Sequence, residues 1–212
     1  MIYKDNQQGR SMIEVMGYMA AVMAVVAGIS KLVANTYSEY KLSQANIQLA
    51  ELAGAILKSS AVEVNYNNIV KMVNGKSSDA YLNKEGLKLI PKSYKVVKTD
   101  SGNKIYNVFG GEVKVGVPNS GEEAKDKFYI SFEGLDREQC IEMAMKEWHT
   151  NKVVDLYSMV VNNNYWYWPI YASSTAGASQ LPATRSALAG KSVDDLGQCN
   201  KESGNLIMWV FN

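Results

Sequence analysis

The strongest constraint on the fold of this chain is an apolar run near its N-terminus. The run extends from Met12 to Ala34, and its only charged residues are Glu14 and Lys31. A helix that crosses a bilayer needs about 20 apolar residues, and the long side chain of Lys31 can reach an interface with its ammonium group. No proline precedes Pro91, so nothing in this part of the chain breaks a helix. The run therefore predicts a membrane-spanning helix.

The charges around the run bear on its orientation. Lys4 and Arg10 precede it, and the positive-inside tendency then places the N-terminus in the cytoplasm. Lys31, Lys41 and Lys58 lie on the other side and weaken that signal. A cleaved signal peptide is the rival interpretation. The sequence after the run continues as a good helix former, without the sharp break of a cleavage site.

Glu14 is a carboxylate inside an apolar segment. At the centre of a bilayer such a group costs about 2.5–3.5 kcal/mol, and less near the end of a span. Two interpretations follow from the residues alone. Glu14 lies at the membrane interface, or it pairs with a positive charge on another subunit.

The segment from Gly9 to Met16, GRSMIEVM, resembles the prepilin processing motif of type IV pilins. In that motif a short polar leader ends in Gly, and Glu is the fifth residue of the mature helix. Counted from Arg10, Glu14 is the fifth. The resemblance implies that a prepilin peptidase cuts between Gly9 and Arg10, and that the new α-amine pairs with Glu14 of a neighbouring subunit. Arg10 stands where such pilins usually carry Phe or Met, which leaves N-methylation of the new terminus open.

Helical periodicity continues beyond the apolar run. Residues spaced three and four apart form one apolar stripe: Leu42, Ala45, Leu49, Leu52 and Ile56. Polar residues such as Gln44 and Gln48 lie off that stripe. We predict one helix from Ser11 to Ser59, roughly 75 Å long, whose outer half packs on a globular head. A two-stranded coiled coil or a signal anchor with a stalk are the alternatives.

The head is predicted to begin with short helices and a run of strands. A helix over Asn65–Val73 ends at an Asn-Gly pair, and a helical turn over Asp79–Asn83 ends at Gly86. Turn residues separate four strands that we expect to form an antiparallel meander: Tyr94–Lys98, Lys104–Phe109, Glu112–Val117 and Lys127–Phe132.

The C-terminal part is predicted to contain a helix and a buried strand. Asp136 is the expected N-cap of a helix over 137–148, with Gln139 in the capping-box position. The residues 206–211 are almost all apolar and predict a buried terminal strand.

The two cysteines lie beside these last two elements. The arrangement of Cys140 in a helix after a strand, and Cys199 before the terminal strand, resembles the C-terminal disulfide region of type IVb pilins, the PilS and toxin-coregulated pilin group. With an even cysteine count in an exported protein, the resemblance implies a Cys140–Cys199 disulfide. It would close a loop of about 60 residues and contribute roughly 4 kcal/mol.

The most unusual patch of the chain is the aromatic sequence 165–168. Alternation along a strand places Trp166 and Trp168 on one face. Either that face belongs to the core, or it is a surface for subunit, glycan or receptor contact. His149 is the only histidine. Since no nucleophile–base set and no metal-ligand spacing occurs, we expect no catalytic residue, no cofactor and no metal site.

These features together predict an α+β fold. A long N-terminal α-helix, with a transmembrane half and an amphipathic half, packs on an antiparallel β-sheet head with a C-terminal disulfide region. The predicted divisions are residues 1–9 (prepilin leader), 10–34 (transmembrane and filament-core helix), 35–60 (amphipathic half) and 61–212 (globular pilin head).

The resemblance implies a structural subunit of a type IV pilus-like filament, a helical homo-oligomer. Its expected partners are a prepilin peptidase, the inner-membrane assembly machinery and the membrane itself, with the precursor in a bacterial inner membrane and the product in an extracellular filament. A net charge of +1 predicts no specific nucleic acid partner. The alternatives are a minor pilin or type II secretion pseudopilin, and, in another class, a signal-anchored surface binding protein.

Overall fold

The computed structural model describes residues 7–60, 65–77, 80–118, 126–146, 156–162, 164–167 and 198–212. The helices are α1 (Gln7–Ser60), α2 (Tyr66–Val73), α3 (Ala80–Leu89) and α4 (Arg137–Ala144). The strands are β1 (Lys95–Thr99), β2 (Gly102–Tyr106), β3 (Glu112–Gly116), β4 (Phe128–Leu135), β5 (Leu156–Val161), β6 (Asn164–Tyr167) and β7 (Asn205–Phe211). The predicted α+β class is confirmed.

Helix α1 is continuous over 54 residues and begins at Gln7, four residues before the predicted start. The chain divides into two compact units, and the division in the sequence falls between Lys41 and Leu42. In the first unit, side chains from Met12 to Tyr40 are exposed. In the second unit, the apolar stripe is buried at Ala45, Leu49, Leu52 and Ile56, and Leu42 is partly buried. The predicted packing of the outer half of the helix on the head is thus confirmed.

All seven strands form one antiparallel sheet in the order β1-β2-β3-β4-β7-β5-β6. The predicted meander is confirmed for β1 to β4 but does not continue. Strand β7 lies between β4 and β5, so it pairs with a neighbour on each side. Strand β5 was not predicted. Its sequence, LYSMVV, becomes a buried strand because it lies next to β7.

The aromatic side chains of the core come mainly from the paired strands β4 and β7. Phe128 lies opposite Phe211, with ring centroids 5.2 Å apart, and Phe132 meets Trp209 edge-on at 5.4 Å. Tyr66 of α2 reaches Phe128 at 5.0 Å. Apart from Tyr66, each of these side chains is at most 1% exposed. The buried rings join α2, β4 and β7 into one apolar cluster with the outer half of α1.

Two predicted helix boundaries are wrong. Gly86 does not end α3 but lies inside it. The position needs glycine for a tertiary reason, since a Cβ there would lie 2.1 Å from the Met72 carbonyl oxygen. The glycine permits the close approach of α2 and α3. Helix α4 ends at Ala144 rather than near 148. Its capping box is confirmed, since Asp136 accepts a hydrogen bond from the Gln139 amide at 2.8 Å and Gln139 accepts one in return at 3.1 Å.

Gln48 departs from the predicted polar face of α1 because it is only 2% exposed. Its Nε2 donates to the Ser93 carbonyl at 2.6 Å, and its Oε1 accepts from the Val108 amide at 3.0 Å. These two backbone groups belong to separate loops of the head. A single side chain therefore ties the outer half of α1 to both loops.

We expect Gln48→Ala to lower the free energy of unfolding by about 1–3 kcal/mol, because two backbone groups lose a partner. The measurement is urea unfolding of the full chain in an uncharged detergent, with tryptophan fluorescence as the probe of the transition. Gln44→Ala is the matched control on the same helix and should change stability by less than about 0.5 kcal/mol. Equal losses in both variants would contradict the proposed tie.

Tyr94 is a second buried polar side chain. It lies edge-on to Phe132, and its hydroxyl has no hydrogen-bond partner among the described residues. Burial raises the pKa of Tyr94 well above its ordinary value, and the nearby Glu51 carboxylate raises it further. Because the folded pKa lies above the unfolded one, the folded protein holds the proton longer. Stability contributed by this group is present below pH ~10 and is lost as the pH rises above that value.

Replacing Tyr94 by Phe should therefore raise the unfolding free energy at pH 7 by about 1 kcal/mol, since an unpartnered hydroxyl is removed from the core. It should also abolish a loss of up to about 1.4 kcal/mol per pH unit above pH ~10. Unfolding curves measured from pH 7 upward test both effects. Tyr81→Phe, at a mostly exposed position, should leave the pH profile unchanged. A less stable Tyr94→Phe protein would contradict the account.

Candidate assembly helix and disulfide region

The inner part of α1 carries a continuous apolar surface. From Met12 to Val33 its large apolar side chains are exposed, with Met23 at 68% and Leu32 at 68%. Monomeric soluble proteins rarely expose so large an apolar patch. Within the described residues, this helix is long and apolar enough to cross a membrane, and none of its most apolar window is buried. The surface therefore requires either lipid or other helices around it.

Two hydroxyl groups on this part of α1 are satisfied by the helix itself. The Ser30 hydroxyl donates to the Val26 carbonyl at 2.8 Å, and the Thr36 hydroxyl donates to the Leu32 carbonyl at 3.0 Å. Such bonds let hydroxyl groups enter apolar surroundings at little cost. Glu14 differs from them, because no described side chain bonds or pairs with its carboxylate.

The predicted processing residues lie at the start of the same helix. Gly9 and Arg10 belong to the first turns of α1, five and four residues before Glu14. The side chain of Arg10 lies outside the described residues. Cleavage between them, and the pairing of a new terminus with Glu14, stay predictions.

The disulfide region lies at the other end of the chain. Cys140 and Cys199 form a disulfide, with Cα atoms 5.8 Å apart and a sequence separation of 59. Both cysteines are fully buried. Cys140 lies in α4, which follows β4, and Cys199 lies shortly before β7. The bond predicted from the sequence is confirmed, and it connects the two segments that flank the β4–β7 pair.

A buried asparagine completes this region. Asn205, the first residue of β7, is fully buried. Its Nδ2 donates to the carbonyls of Leu135 at 3.2 Å and Lys201 at 2.8 Å, and its Oδ1 accepts from Asn162 Nδ2 at 2.8 Å. Every polar atom of this amide is therefore used. It fixes the start of β7 against β4 and against the loop that contains Cys199.

Asn162 supports the same region from the β5 side. It has a left-handed backbone conformation with φ at +46°, which asparagine tolerates better than most residues. Its Oδ1 accepts from the Leu206 amide at 2.9 Å, and its Nδ2 also donates to the Gln198 carbonyl. Sequence reasoning missed this pair of asparagines. Their contact joins positions 43 residues apart, and no local pattern announces it.

The aromatic patch is described only in part. Trp166 lies in β6 and has Met159 of β5 as its backbone partner. The side chain of Trp166 and the whole of Trp168 lie outside the described residues, so core and contact surface both stay open. In the described ranges, no three His, Cys, Asp or Glu side chains gather in a group that could hold a metal ion.

A long exposed apolar helix joined to a disulfide-bonded α+β head defines the class of type IV pilins. The family model PilS, described as PilS N terminal, matches residues 59–212 of the chain. The chain belongs to this family of type IVb pilins, whose members are structural subunits. The match covers the head and begins at the end of α1.

One solved structure to which the chain shows similarity is the crystal structure of type IV b pilin from Salmonella typhi. The similarity covers 79% of this chain and 97% of that chain, with 13% identical residues and a TM-score of 0.41. No curated protein sequence matches the chain significantly.

We expect the double variant Cys140→Ser, Cys199→Ser to lose about 2–5 kcal/mol of unfolding free energy, the usual cost of removing a native disulfide from a small domain. Urea unfolding of the full chain measures the loss. Dithiothreitol should destabilise the wild type by a similar amount and leave the double variant unchanged. An unchanged midpoint in both cases would show that the asparagine network and the core hold β7 without the bond.

Proposed function

We propose that this pilin is made as a precursor, cut between Gly9 and Arg10 by a prepilin peptidase, and polymerised through α1 into an extracellular filament. Hydrolysis of that peptide bond releases a nine-residue leader and leaves a new α-amine on Arg10. An α-amine has a pKa of about 7.7–8.0 and carries a positive charge at neutral pH for most of the population. Family membership supports the structural role, and the GRSMIEVM segment supports the cleavage position.

The observation that carries the proposal is Glu14, a carboxylate without a described partner on an exposed apolar helix. An isolated charge in lipid costs about 2.5–3.5 kcal/mol near the bilayer centre. The same charge next to the α-amine of a neighbouring subunit is compensated. Glu14 thus favours one axial position of a subunit over others, while the apolar side chains supply most of the contact area.

The proposed partners follow from this scheme. The precursor lies in a bacterial inner membrane through residues 10–34, where the peptidase and the assembly machinery act on it. The head then forms the outer surface of the filament. A minor pilin or a type II secretion pseudopilin would use the same helix, and abundance in purified filaments separates these roles. A signal-anchored surface binding protein is the alternative of another class, and it would keep residues 1–9.

The first measurement is the N-terminal sequence and intact mass of the protein from membranes and from sheared surface material. We expect a chain that starts at Arg10 in both fractions. A Met1 start, with no protein in the sheared fraction, would overturn the proposal and leave the signal-anchored protein.

Glu14→Gln tests the assembly step separately from cleavage. Removing one partner of a buried charge pair costs about 3–5 kcal/mol, so the sheared fraction should fall more than tenfold. Processing at Arg10 should persist. Glu39→Gln, on the same helix beyond the apolar run, is the control and should leave filament yield unchanged. A normal yield from the Glu14→Gln protein would refute the pairing.

A further inference from the structure

The charge of the chain is unevenly distributed, although its net value is only +1. The segment 65–106 contains eight lysines and no arginine, with three acidic residues, Asp79, Glu85 and Asp100. Its net charge is +5, which leaves −4 for all other residues together. Such asymmetry within a chain indicates an interaction with an anionic partner.

The structure places every one of these lysines at the surface. Among the described residues, Lys88 forms an ion pair with Glu85 at 2.7 Å. The other seven have no acidic partner within ion-pair distance in the described part of the chain: Lys71, Lys76, Lys84, Lys92, Lys95, Lys98 and Lys104. Their ammonium groups are available to a ligand.

Two lysines line one cleft, and a third lies beside one of its lining residues. The cleft has a volume of about 380 Å³ and lies between α3 and the hairpin of β1 and β2. Lys84 lines it from α3 and Lys98 lines it from β1. Lys76 lies against Gly102, another residue of the lining, within 3.3 Å of the position that a Cβ would take there. Among the described residues that line the cleft, none is acidic.

Two further lysines lie on the opposite face of the same hairpin. Lys104 is the direct backbone partner of Val97, two residues from Lys95. Because paired residues share a face and successive residues alternate, Lys95 and Lys104 lie together on the face opposite Lys98. Strand β1 is the edge of the sheet. Cationic groups thus lie on both sides of an exposed edge.

We propose that this lysine surface, formed by Lys76, Lys84, Lys95, Lys98 and Lys104, binds the phosphate backbone of nucleic acid without regard to sequence. A linear polyanion that passes over the sheet edge reaches lysines on both faces of the hairpin. A planar surface such as a membrane reaches one face at a time. Nucleic acid carries one negative charge every 3.4 Å along each strand, which is dense enough to engage several lysines at once.

The choice of lysine supports binding without sequence readout. Arginine supplies the planar, bidentate contacts that recognise base edges, whereas lysine acts as a compact point charge. The segment contains lysine alone. The surface belongs to the head, so the proposal does not depend on leader cleavage or filament assembly. The proposal departs from the sequence-based expectation of no nucleic acid partner, because that expectation rests on the net charge of the whole chain and this surface carries a local excess of lysine.

The test uses the full chain in an uncharged detergent and fluorescent oligonucleotides, single-stranded and duplex, of two unrelated sequences. We expect similar Kd values for both sequences and a steep salt dependence between about 50 and 200 mM. The variant Lys76→Gln, Lys84→Gln, Lys98→Gln should bind more weakly to every oligonucleotide. Its slope of log K against log salt should fall by about 2 to 3, since each lost phosphate contact removes 0.7–0.9.

The control variant carries the same change in net charge elsewhere on the head, through Lys114→Gln, Lys127→Gln and Lys201→Gln. It should keep the wild-type slope. Equal weakening in both variants would reduce the effect to net charge and overturn the site. Binding to a sulfated polysaccharide or to anionic vesicles, with no binding to oligonucleotides, would overturn the choice of partner. No binding to any polyanion would overturn the proposal. The lysines would then serve only to prevent edge-to-edge pairing of strands.

Discussion

The structure of the head depends on the pairing of β7 with two neighbours. Strand β7 joins β4 on one side and β5 on the other, and Phe211 is the register partner of both Phe128 and Leu156. Without β7 the sheet would separate into the meander β1 to β4 and the hairpin β5 with β6. Strand β7 also supplies Trp209, the largest fully buried side chain among the described residues. The strand that comes last in the chain order is therefore the one that completes the sheet.

A strand that pairs so far from its neighbours in sequence loses much conformational entropy when it docks. The disulfide and the asparagine network act at that point. Cys199 and Asn205 flank the segment that leads into β7, and each is tied to the segment around α4 and the end of β4. Arg137 adds a hydrogen bond from its Nε to the Cys199 carbonyl at 3.2 Å. Covalent and polar contacts thus fix the entry of β7, and apolar contacts hold its length.

The features that could be predicted from the sequence are those encoded by neighbouring residues. The end of α2 at Val73, the capping box of α4 and the turns between β1 and β4 depend on groups a few residues apart. The position of β7, the existence of β5 and the burial of Gln48 depend on partners far away in sequence. Gly86 resembles a helix stop in the local sequence, but in the structure it is the point where α3 contacts α2. The net charge of +1 does not reveal the lysine surface, because acidic residues elsewhere in the chain offset its lysines.

The register of β7 and the axial position of α1 are specified by different kinds of contact. In the head, β7 has one register because aromatic rings, a disulfide and Asn205 all fit a single position. The inner half of α1 has no such device within one subunit, since its surface is apolar and apolar contacts are not directional. A helix of that kind could slide along its neighbours with little change in energy. On the proposed function, the charge of Glu14 removes that freedom, because a polar group in apolar surroundings is tolerated only where its partner lies. In this scheme Glu14 fixes the axial position of a subunit in the filament, as Asn205 fixes the start of β7 in the head.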